Sequence, residues 1–88
     1  MGLFSRKPKV NLDDVFKDKY KALNQTMMQA HQEMDDFIKE SLLCQVVNMY
    51  DELLSYIDQG AHFDKEHFLS LKKSAVDELE MIQKLNKD

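Results

Sequence analysis

Glycine and proline are nearly absent from this chain, with two of the first and one of the second, and neither occurs between Pro8 and Gly60. These residues supply most of the tight turns that hairpins, sandwiches and barrels need, so their scarcity excludes those folds. Phosphate-cradling loops require several close glycines, which removes nucleotide enzymes as well. Cys44 is the single cysteine, so no internal disulfide can form and a disulfide-stapled secreted fold is excluded. A reducing, cytoplasmic setting is the expectation. Apolar runs stop at three residues, as in Leu42-Leu43-Cys44, far short of the ~20 that span a bilayer. A signal-peptide apolar region is not expected at the N-terminus either.

What is present is the composition of a folded globular protein, 43% hydrophobic and 32% charged. Eighty-eight residues suffice for one domain. A chain of this size buries only roughly 60–65% of the surface it exposes when unfolded, which makes burial by a partner or a second copy a natural supplement. The net charge is −4, yet the first ten residues carry Arg6, Lys7 and Lys9 and no acid, leaving nine bases against sixteen acids beyond them. So acidic a body, with its bases interspersed rather than gathered on a face, repels phosphates and argues against nucleic-acid binding.

Residues 1–10, MGLFSRKPKV, stand apart in composition and read as a flexible basic tail preceding a single bundle domain over 11–88. Gly2 suggests myristoylation, but that pattern places Ser or Thr at position 6, where this chain has Arg6. Leu3 and Phe4 beside Arg6, Lys7 and Lys9 form a candidate membrane contact. At about 1 kcal/mol per base near an anionic surface, that contact would be transient rather than anchoring.

Helical periodicity fills the remainder and predicts an all-α fold, a small antiparallel bundle of three helices over about 12–23, 27–58 and 64–86. Asn11 is the cap of the first, with Asp13 and Asp14 placed to favour its positive end. Thr26 and Gln29 have the spacing of a capping box, which sets the first break at residues 24–26. The middle helix then carries a stripe through Met27, His31, Met34, Ile38, Leu42, Val46, Met49 and Leu53. Between Ser41 and Ile57 it is apolar nearly all round, leaving Ser41, Gln45, Asn48, Glu52, Ser55 and Gln59 as a narrow polar stripe, and so belongs at the centre. Gly60 closes it. Asp64 caps the last helix, with Phe63 and Phe68 as a hydrophobic staple, and Phe68, Leu71, Ala75, Leu79, Ile82 and Leu85 face the core. On these lengths the two outer helices together cover the long middle one end to end.

A second parse reads Phe16, Tyr20, Leu23, Met27, Ala30, Met34 and Phe37 as one alternating stripe, giving helices over 12–39, 41–58 and 64–86. Past Phe37 that stripe runs into Ser41 and Asn48, which places a break near Asp35, Asp36 or Ser41.

Titratable groups offer little chemistry. Asp64 and His67 could share a metal, but Asp64 is needed as a cap and no HExxH pattern accompanies it. His31 and Asp35 stand four apart and can pair on one helix face. Adjacent carboxylates such as Asp51-Glu52 point ~100° apart on a helix and read as solvated faces. Cys44 lies in an apolar run that disfavours its thiolate. No catalytic residue, metal site or cofactor is expected, and the chain reads as a non-enzymatic interaction or regulatory module presenting helix faces to a protein partner or to itself. Met27, Met28 and Met34 are the candidate partner surface, since methionine adapts to varied neighbours. A membrane-associated regulatory or immunity-type protein using the tail, and a small metal- or ligand-binding bundle, are the alternatives.

Overall fold

The computed structural model describes residues 11–87 and forms an all-α bundle of three helices: α1 (Leu12–Gln32), α2 (Asp36–Asp58) and α3 (Lys65–Lys87). The Leu3, Phe4, Arg6, Lys7 and Lys9 segment lies outside the described residues. α1 starts where the Asn11 side chain accepts the Asp13 N–H at 2.9 Å, with Asp13 and Asp14 in the first turn. It does not break at residues 24–26. The Thr26 hydroxyl donates back to the Ala22 carbonyl at 3.0 Å inside the helix instead of capping a new one. Phe16, Leu23 and Ala30 are all fully buried and recur every seventh residue, so one seam against α2 spans the expected break. Tertiary packing along that seam outweighs a local capping signal worth about 1 kcal/mol.

The break falls at Glu33–Asp35, meeting the second parse's range only at Asp35, so α1 ends at Gln32 rather than running on to residue 39, and the chemistry of the break is carboxylate rather than glycine. Glu33 Oε2 accepts the N–H groups of Met34 and Asp35 at 3.1 and 3.0 Å, while Asp35 Oδ1 accepts those of Phe37 and Ile38 at 2.9 and 3.2 Å. Asp35 is thus the N-cap of α2. The three helices have similar lengths, 21, 23 and 23 residues. The outer pair therefore runs side by side rather than end to end, each packed antiparallel on α2.

α2 ends as expected at Gly60, whose φ of 121° is the left-handed geometry that glycine adopts without strain. The Gly60 N–H bonds to the Ile57 carbonyl and the Ala61 N–H to the Tyr56 carbonyl, both at 3.0 Å, which is a Schellman closure. Asp64 Oδ1 then accepts the Glu66 and His67 N–H groups at 3.0 and 3.4 Å, starting α3.

The core is unevenly divided along the bundle axis. At the proximal end, where the α2–α3 turn meets the start of α1, Phe16 stacks on Phe63 with ring centroids 4.0 Å apart and meets Phe68 edge-on at 4.9 Å. Phe63 and Phe68 form the expected staple, 6.4 Å apart and nearly perpendicular. Leu23, Val46, Tyr50 and Leu53 continue this core. Toward the distal end, where α1 finishes and α2 begins, the buried set shrinks to Ala30, Leu43 and Ile82. A phase error in the expected α2 stripe follows from the misplaced break: the buried face is Leu43, Val46, Tyr50, Leu53 and Leu54, whereas His31, Met34 and Ile38 are exposed. The narrow polar stripe from Ser41 to Gln59 is exposed throughout. Leu85, expected in the core, is 62% exposed because α1 ends before reaching it.

Candidate interaction surface

The thin distal core leaves apolar side chains uncovered. Met28, Met34, Phe37, Ile38, Met81 and Leu85 are each 50% to 92% exposed, and they all belong to the distal third of the bundle. Among the described residues, Leu69, at 44%, is the one other exposed large apolar side chain. Three shallow grooves open at the same end. Met81 and Leu85 share one with Lys39, Leu43, Glu78 and Ile82. Phe37 lines a second with Glu40, Glu80 and Lys84, and Ile38 and Leu42 line a third with Gln29, Gln32 and Glu33.

Of the methionines singled out from the sequence, Met28 and Met34 lie on this surface, Met34 in the α1–α2 turn. Met27 does not: it is half-buried and packs against both parts of the core, joining them. Met81 was missed by sequence reasoning, as were the roles of Phe37, Ile38 and Leu85 here. A usable signal existed for Met81, an apolar residue that falls off the α3 stripe of Phe68, Leu71, Ala75, Leu79 and Ile82.

The polar groups serve the fold. His31 does not pair with Asp35, which is committed to capping α2; its Nε2 lies 2.9 Å from Glu78 Oε2 and links α1 to α3. His62 Nδ1 lies 3.1 Å from Asp13 Oδ2, and the His62 backbone N–H donates to Asp13 Oδ1 at 2.8 Å. That backbone hydrogen bond, aided by the nearby imidazole, holds the Asp13 carboxyl below its ordinary range against a smaller opposing effect of burial. Burial pushes the Tyr50 phenol up, as removal from water disfavours its ionised form. Asp51, read as a solvated carboxylate, meets Lys72 Nζ at 2.6 Å. Cys44 is a half-buried free thiol. Among the described residues, no group of three histidine, cysteine or carboxylate side chains is placed to hold a metal ion, and no helix is long and apolar enough to cross a membrane.

Compared with protein-family models, curated proteins and solved structures, the chain matches none.

Proposed function

We propose that this chain is a non-enzymatic interaction and regulatory module of the cytoplasm, working without a cofactor and docking a protein partner or a second copy on its distal end. The observation that carries this reading is the convergence of Met28, Met34, Phe37, Ile38, Met81 and Leu85 on one end of an otherwise well-covered bundle. Scattered exposed apolar side chains are normal on a soluble protein, whereas their concentration rimmed by charge is the usual mark of a docking surface. Methionine and phenylalanine suit that role, one by adaptability and the other by rigid contact area. Burial of this end by a partner would also supplement the three-residue distal core.

Phe37→Glu and Met81→Glu test the reading against Lys73→Gln, which alters net charge by the same amount on an exposed part of α3. Each full-length variant serves as bait in quantitative capture from the native host and is sedimented alone. A specific associate held by the wild type and Lys73→Gln, but lost from both distal variants, is the expected result. Equal recovery by all four chains would reject the distal end as the docking surface.

A further inference from the structure

The distal edge and the N-terminal segment are complementary in charge and share an apolar character. Residues 33–38 contain three acids, Glu33, Asp35 and Asp36, three apolar side chains, Met34, Phe37 and Ile38, and no base. Residues 3–9 contain Leu3, Phe4 and three bases, Arg6, Lys7 and Lys9, and no acid. The edge is open to a ligand: Met34 is 92% exposed and Phe37 69%. Its acids also keep capacity, because the turn uses only Oε2 of Glu33 and Oδ1 of Asp35, leaving the second oxygen of each carboxylate outside those hydrogen bonds.

Chain length decides whose segment fits. Asn11 caps the proximal end of α1, and the 21 residues of that helix put the distal edge about 31 Å away. An extended chain covers at most ~3.6 Å per residue, so Phe4, seven residues before Asn11, reaches no further than ~25 Å and Arg6 no further than ~18 Å. A bundle cannot lay this segment on its own distal edge. Two bundles side by side and antiparallel bring each Asn11 to the other's distal edge, and the exchange then closes as a two-fold pair.

We propose that the Met34, Phe37 and Ile38 edge of one copy receives residues Leu3 to Lys9 of a second copy, with Leu3 and Phe4 against the apolar side chains and the three bases opposite Glu33, Asp35 and Asp36. This assignment rests on the distal end being a docking surface and names its occupant. Exposed ion pairs of this kind are screened by salt, so the pair weakens as ionic strength rises.

Sedimentation equilibrium of full-length chains tests it. The wild type should dimerise at micromolar concentration, and Phe4→Glu and Phe37→Glu should each weaken the dimer by about tenfold or more. An equimolar mixture of the two variants should recover a heterodimer, since one intact segment then meets one intact edge. Melting curves check that the variants are folded, and Met34→Glu replaces Phe37→Glu if the latter melts early. A dimer sensitive to Phe37→Glu but indifferent to Phe4→Glu would overturn the segment's role while leaving the distal end as a docking surface. A wild type that stays monomeric, or whose segment instead carries it to anionic vesicles, would overturn the proposal, and the capture experiment above would then judge the docking surface separately.

Discussion

The Asp13 carboxylate accepts the His62 backbone N–H at 2.8 Å, 49 residues away in sequence, and so ties the first turn of α1 to the turn that leads into α3. Because this bond holds the Asp13 carboxyl below its ordinary range, the folded chain favours the ionised form more than the unfolded chain does. The resulting stabilisation is present above the unfolded aspartate value of about 4 and is lost as pH falls through the lower folded value. Asp13→Asn should therefore flatten the fall of stability between pH 5 and the acid transition, as measured by urea unfolding at a series of pH values. An unchanged acid limb would show that the contact does not form in solution.

Leu53 and Leu85 occupy similar sequence patterns but opposite environments, the first fully buried and the second 62% exposed. Leu53→Ala should cost about 2–5 kcal/mol through lost burial and the cavity left behind. Leu85→Ala should stay within about 0.5 kcal/mol. Equal losses in denaturant unfolding would contradict the unequal division of the core.

Gly60 tests the Schellman closure. A Cβ added there would find only the Leu12 Cδ1 atom, at an ordinary contact distance of 4.0 Å, so space is not the obstacle. The obstacle is the backbone, since a side chain at a φ of 121° is strained. Gly60→Ala should cost about 1–3 kcal/mol with no change in helix content by circular dichroism.

Much of this architecture is legible in residue chemistry. Asn11, Gly60, Asp64 and the Phe63–Phe68 staple act through neighbours within a few residues, and each is found where its pattern places it. The first break is a different kind of problem. Thr26 and Gln29 present a capping signal, yet the seam through Phe16, Leu23 and Ala30 requires the helix to continue, and that requirement exists only once α2 lies alongside. Misplacing the break rotated the expected α2 face, which hid the exposure of Ile38. It also made the outer helices too unequal to stand side by side. The His31–Glu78 and Asp13–His62 pairs span 47 and 49 residues and follow from the packing alone. The distal surface is legible only in part, because Leu85 matches a core pattern in a stretch that α1 does not cover.

Paired substitutions at the two competing break positions separate these parses directly. Asp35 accepts two backbone N–H groups at the start of α2, so Asp35→Ala should cost about 1 kcal/mol, within the 0.5–2 kcal/mol range of lost caps. Thr26 caps nothing; its hydroxyl returns to the Ala22 carbonyl inside α1, and alanine has the higher helix propensity. Thr26→Ala should accordingly be neutral within about 0.5 kcal/mol, the gain in propensity offsetting the loss of a half-buried methyl and hydroxyl. Amide exchange supplies a second reading of the same question. Residues 24–29 should be as protected as the middle of α1, while the N–H groups of Met34 and Asp35, held only by the Glu33 side chain at an exposed turn, should exchange early. A costly Thr26→Ala with a neutral Asp35→Ala would move the break back to residues 24–26 and, with it, Met34 out of the turn.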